Sequence, residues 1–210
     1  MRSKHLLLLA CSLLFTLASF SQVIRFSTNL PVTPDSTSDA SITELRFYIS
    51  NIQFFLKKKM VYSDEKQHHL IDLTASNQFL LEYSIPAYYD SISFLLGVDK
   101  KTAESGVFGG DLDPRHGMYW TWHSGYIHLR LEGYSKQCAS RNHKFQYHIG
   151  GPESTIPMGF RVIQGQPMHI QIDLKKWIHQ QPFDESEIMI PGERANAFAN
   201  YFSHLFILNP

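Results

Sequence analysis

Short runs of alternating character dominate this chain and restrict it to a sheet-built fold. In the stretch 168–178, MHIQIDLKKWI, His169, Gln171 and Asp173 alternate with Ile170, Ile172 and Leu174, the period-two pattern of a strand with one buried face. Runs rich in β-branched and aromatic residues also stand at 23–30, 44–58, 68–74, 89–98, 125–134 and 144–150. Turn-like segments separate them, with little helical periodicity between. Strands at this spacing argue for an all-β sandwich or barrel, and an antiparallel β-sandwich is the expected fold class. The tail departs from the pattern. Residues 193–207, ERANAFANYFSHLFI, place Ala197, Tyr201, His204 and Leu205 at three- and four-residue spacings, which predicts a short closing helix.

The 210 residues, 43% hydrophobic and 18% charged, supply one sizeable core and argue against two domains. At the start, Arg2 and Lys4 precede an apolar run from Leu6 to Phe20, followed by small and polar residues. That is the layout of a secretory signal peptide, and the run falls short of the roughly 20 residues a spanning helix needs. Residues 1–22 are therefore expected to be a signal segment and 23–210 a single domain of the envelope or cell exterior, with no transmembrane segment in the mature chain. Leu8-Leu9-Ala10-Cys11 also resembles a lipobox.

Cleavage near Gln22 would remove Cys11 and leave Cys138 alone, so no intrachain disulfide could staple the mature fold. It would also remove Arg2 and Lys4 from the 19 basic residues, leaving 17 against 19 acidic ones. That balance gives no reason to invoke nucleic acid, and Lys57-Lys58-Lys59 suits a solvated strand end.

Chemistry concentrates in the middle of the chain. The segment 99–118 reads as a long ordered loop, a class that is commonly functional. It leads into GDLDPRHGMYWTWHSGYIHLRLEG at 109–132. If 119–132 is one strand, Trp120, Trp122, Ser124, Tyr126 and His128 share one face and Ile127, Leu129 and Leu131 the other. A neighbouring strand from KFQYHIG would bring His148 toward His128. Two neutral imidazoles on adjacent strands suit copper or zinc, while a packed sandwich core accounts for the aromatics without any metal. His116 and His123 are undecided, and His68, His69, His143 and His179 are expected to be exposed. Asp111 and Asp113 are expected to cap a turn. No Gly-x-Ser-x-Gly elbow, phosphate loop or His-Glu-x-x-His helix is present, so a hydrolase using His116 with Asp111 or Asp113 ranks last.

The order of LRFYISNIQF (45–54), FLLGVD (94–99), the 109–132 stretch and FQYHIGG (145–151) resembles the MbnP-like family of secreted copper-binding proteins. The resemblance implies a periplasmic or cell-surface β-sandwich that binds copper. In some members the ligands are histidines and a tryptophan oxidised to kynurenine by a partner dihaem cytochrome of the peroxidase type. Trp122 resembles the oxidisable position, with Trp120 as second choice, and His148 matches the family's His-x-Gly. The modification makes chemical sense, because an indole N–H is a poor ligand whereas the aromatic amine of kynurenine carries a lone pair.

The reading is thus an exported copper-binding protein without turnover of its own. His148 and His128 are its nitrogen ligands and Trp122 the neighbour or third donor, with Cu(I) preferred over Cu(II). Tyr126 or Asp113 would orient an imidazole. The competing class is a metal-free binding or assembly module of the cell envelope on the same scaffold.

Overall fold

The computed structural model describes residues 20–33, 39–74, 76–85, 88–120, 125–163, 166–180 and 186–209; most of the expected signal segment lies outside them. In chain order the strands are β1 (Phe20–Thr28), β2 (Ala40–Leu56), β3 (Lys59–Ser63), β4 (His68–Asp72), β5 (Gln78–Ile85), β6 (Ser91–Leu96) and β7 (Tyr119–Trp120). They continue with β8 (Gly125–Ser135), β9 (Lys144–Gly150), β10 (Ile156–Arg161), β11 (Met168–Ile172), β12 (Glu187–Ile188) and β13 (Phe206–Asn209). The helices are α1 (Lys100–Ser105), α2 (Leu174–Gln180) and α3 (Glu193–Ser203). The fold is the expected all-β sandwich. β1 begins at Phe20, three residues before the expected domain start at Val23.

One sheet has four strands in the order β13-β11-β1-β5, and the other follows the path β10-β6-β2-β8-β9-β12 with β3 and β4 on β2. Their inner faces meet in one core. Ile24 and Phe26 of the small sheet oppose Phe47, Ile49, Leu129, Leu131, Tyr147 and Ile149 of the large one, all buried. Phe26 makes edge-on contacts with Phe47 and Phe94, ring centroids 6.0 and 6.1 Å apart. Each fully buried side chain of this kind contributes roughly 1.5–3 kcal/mol.

The long strand β2 organises the site. Along one edge it pairs with β4 through Arg46–Ser50 and then with β3 from Gln53. Along the other edge it pairs with β8 as far as Phe47, opposite Leu129, and with β6 from Ile49, opposite Leu96. The partner therefore changes at Tyr48, whose carbonyl accepts the Gly97 N–H at 2.8 Å. β8 and β6 meet end to end there, and β9 and β10 flank them and are joined by residues 151–155. A seam opens across the sheet at this level, and a second cluster of Tyr48, Val98, Leu112, Met118, Trp120, Tyr126 and Ile127 covers its outward side.

Some elements differ from the sequence reading. β1 with β11, and β9 with β12, pair in parallel. The alternation at 168–178 ends at Ile172, because the Asp173 carboxylate accepts the Lys176 N–H at 3.0 Å and caps α2 as an N-cap does. The closing helix stops at Ser203, and Phe206–Asn209 instead pairs with β11. The expected long loop holds α1, capped by Asp99, and a 3-10 turn begun by Pro114 whose cap is Asp113, through the Arg115 N–H.

Candidate metal centre

The aromatic stretch is a hairpin, not one strand. Tyr119 pairs with Tyr126 and Trp120 with Gly125, antiparallel, so Tyr119–Trp120 and Gly125–Ser135 are two strands. The face assignment based on a continuous strand 119–132 is thereby overturned. An antiparallel pair returns upon itself, so Tyr119 packs edge-on against Tyr126, and Trp120, Tyr126 and His128 line one cavity. Trp122 and His123 lie outside the described residues.

His128 occupies a β-bulge. Ile127 is opposite Gly150 and Leu129 opposite Ile149, leaving His128 without a counterpart on β9; such an extra residue re-aims its side chain. The imidazole is 2% exposed, and neither ring nitrogen makes a hydrogen bond of good geometry, the Ser154 backbone being the one polar group that acts on it. Burial pushes its pKa down to about 4, with the Ser154 backbone opposing the shift in part, so the ring is neutral at physiological pH. It lines a cavity of about 470 Å³ with Trp120, Tyr119, Tyr126, Pro152 and Pro191. A buried imidazole nitrogen left without a partner costs on the order of 1–3 kcal/mol. A native structure bears such a cost where something else supplies the partner.

His148 is also buried but engaged. Its Nε2 stands 2.7 Å from Glu132 Oε1, and it pairs across the ladder with Arg130. The hydrogen bond from His148 is the largest influence holding the Glu132 carboxyl down to about 2. A carboxylate on one imidazole nitrogen fixes the tautomer and leaves the other nitrogen as the donor, the usual arrangement behind a metal-ligating histidine. His128 and His148 share no hydrogen bond, and the bulge separates their positions along β8. Among the described residues, no group of three or more His, Cys, Asp or Glu side chains is placed to hold a metal ion.

The orienting groups differ from those expected. The Tyr126 hydroxyl accepts the Phe108 N–H at 3.0 Å, and Asp113 forms a fork with the Arg115 guanidinium. Glu132, two residues from Arg130 in the motif, is the carboxylate that orients an imidazole. Asp113 caps a turn as expected, while Asp111 accepts the Leu70 N–H at 3.0 Å and pairs with Lys66. His116 Nε2 reaches the Gly110 carbonyl and neither carboxylate. His69 was expected to be exposed and is 6% exposed, because β4 turns it inward opposite Ile49, onto Asp64.

A sequence model of the MbnP family matches residues 11–192. The chain belongs to the MbnP family. Among solved structures it resembles MbnP from Methylosinus trichosporium, with a TM-score of 0.55 and 13% identity over 83% of this chain and 82% of that one. At that identity the likeness shows a shared fold. No curated relative matches. Within the MbnP fold the motif residues gather at the seam of the large sheet: Trp120 belongs to the cluster that covers it, the Glu-Gly lies on β8 and the His-x-Gly on β9.

Proposed function

We propose that this MbnP-family chain is an exported copper-binding protein of the cell envelope, with no turnover of its own. The observation that carries the reading is His128: a buried, neutral imidazole with no side-chain partner on either ring nitrogen, facing a cavity walled by Trp120. The donor set suits a borderline-soft cation. Neutral imidazole nitrogens take copper readily, and Cu(I) is satisfied with few ligands. His128 and His148 are the proposed nitrogen donors, the latter held by Glu132. Copper, when bound, would supply the positive charge that an imidazole lone pair attracts.

Trp122 is the proposed third donor or neighbour, after oxidation to kynurenine by a dihaem cytochrome of the peroxidase type. Its place in the sequence between Trp120 and Gly125, both of which line the cavity, supports the assignment. The apolar start of the chain supports export to the periplasm or cell surface.

Copper titration of the mature protein with metal analysis tests the reading. About one tight ion per chain is expected, lost in His128→Ala and weakened in His148→Ala while the fold survives. Absence of binding in the unsubstituted protein would leave the metal-free assembly module as the function. Kynurenine is checked by the mass of the peptide holding Trp120 and Trp122, which should show one carbon lost and one oxygen gained.

A further inference from the structure

The outward face of the large sheet carries a charged lattice beside the cavity. Glu132 Oε1 accepts from His148 Nε2 at 2.7 Å and from Arg130 Nε and Nη2 at 2.9 and 2.8 Å. Glu44 Oε1 stands 3.1 Å from Arg130 Nε and 3.4 Å from Arg46 Nη1, and Arg46 Nε pairs with Asp72 at 3.0 Å. Each guanidinium spends a further N–H on backbone. Arg46 Nη1 donates to the His116 carbonyl at 2.9 Å and Arg130 Nη1 to the Gly117 carbonyl at 3.1 Å. Those two carbonyls close the 3-10 turn immediately before β7.

We propose that Arg130 is a positioning residue of the metal centre: it sets the Trp120 wall of the His128 cavity through the Gly117 carbonyl, and ties that wall to His148 through Glu132. The proposal rests on the copper reading of the site. Gly117 leads directly into Met118, whose carbonyl accepts the Ile127 N–H at 3.0 Å, and Trp120 follows two residues later. The position of Gly117 therefore fixes the entry of the hairpin on one side and the residue before His128 on the other.

Arginine suits the task because its planar fork serves a carboxylate and a carbonyl at once, which a lysine ammonium on a flexible stem does not. At 25% side-chain exposure against 17% for Glu132, the pair is shielded enough to hold its geometry. One carboxylate oxygen thus joins His148 to Arg130, and Arg130 reaches the backbone beside His128 only through Gly117. A cation on His148 strengthens the demand of its Nε2–H on Glu132, and Arg130 transmits the change to the wall beside His128.

Full-length mature protein with Arg130→Lys and Arg130→Met tests this by two readouts, copper titration and amide hydrogen exchange at Ile127. Both variants are expected to weaken copper binding by roughly ten- to hundred-fold, the usual effect of losing an outer-shell partner. Exchange at Ile127 should quicken while that of Ile170, in the small sheet, keeps its original rate. Unchanged Ile127 exchange in a folded variant would overturn the proposal, as would a uniform quickening at every amide with unchanged affinity of the folded fraction. Should Arg130→Met fail to fold, Arg130→Lys decides. If the unsubstituted protein takes up no copper, the copper reading falls, and Ile127 exchange alone judges the positioning.

Discussion

The ring of His128 lies against the backbone of Gly97: a methyl group on the glycine Cα would stand 3.0 Å from Nδ1 and 3.0 Å from the Thr155 methyl carbon. Gly97 is also at φ +115°, in a region that side chains avoid. Its N–H goes to Tyr48 and its carbonyl takes the Ser50 hydroxyl at 2.9 Å, so it cannot slide away. Gly97→Ala is expected to destabilise the protein by about 1–3 kcal/mol through backbone strain and to push the imidazole into the cavity. Denaturant midpoints and copper affinity, measured together, check it. An alanine variant with original stability and affinity would show that the seam is looser than drawn.

Acid should destabilise the metal-free protein through His128. The native pKa of about 4 lies below the ordinary 6.5, so between these values the unfolded chain binds a proton that the native state refuses, and stability falls as pH drops. A shift of that size is worth on the order of 3 kcal/mol at most. The loss should start near pH 6.5, level off near 4, and be absent in His128→Gln. Urea unfolding at a series of pH values reads it directly.

Glu132 acts at lower pH. Its folded pKa of about 2 lies below the ordinary 4.5, so its stabilisation is complete above 4.5 and is lost as pH falls toward 2. Glu132→Gln should flatten that limb of the acid titration. It should also weaken copper binding, because an amide holds the His148 Nε2–H less firmly than a carboxylate. A variant that flattens the acid limb and leaves copper affinity intact would remove Glu132 from the metal centre.

On the inner face, Asp64 joins the two sheets. Its Oδ2 accepts the Tyr83 hydroxyl of β5 at 2.8 Å and faces His69 Nε2 of β4, and both its carboxylate and the imidazole are under 10% exposed. Burial and the hydrogen bond to Asp64 raise the Tyr83 pKa, so the phenol stays protonated as the donor. Asp64→Ala is expected to cost about 1–3 kcal/mol for each of the two buried groups, the Tyr83 hydroxyl and His69 Nε2, that it leaves without a partner. Copper affinity of the folded protein should be unchanged, since this pair sits inside the core.

Local rules alone determined much of this protein. Period-two alternation at Ile170 and Ile172, or at Tyr147 and Ile149, marks half-buried strands whatever lies around them, and the order of family motifs carried the chain to its family. Alternation could not tell Leu174 in a helix from Leu174 in a strand, because the Asp173 cap that decides it acts through a backbone N–H three residues away. Nor could it show that Trp120 and Gly125 pair with each other as antiparallel strands. The tertiary structure decided the site itself. The partner of β2 changes at Tyr48 because β6 and β8, far apart in sequence, reach the same edge from opposite ends. The seam left there makes room for His128, brings Gly97 beneath its ring, and turns the Glu of a Glu-Gly motif into the group that holds His148. Side chains converge across strands according to ladder register, and register is a property of the assembled sheet that no single segment contains.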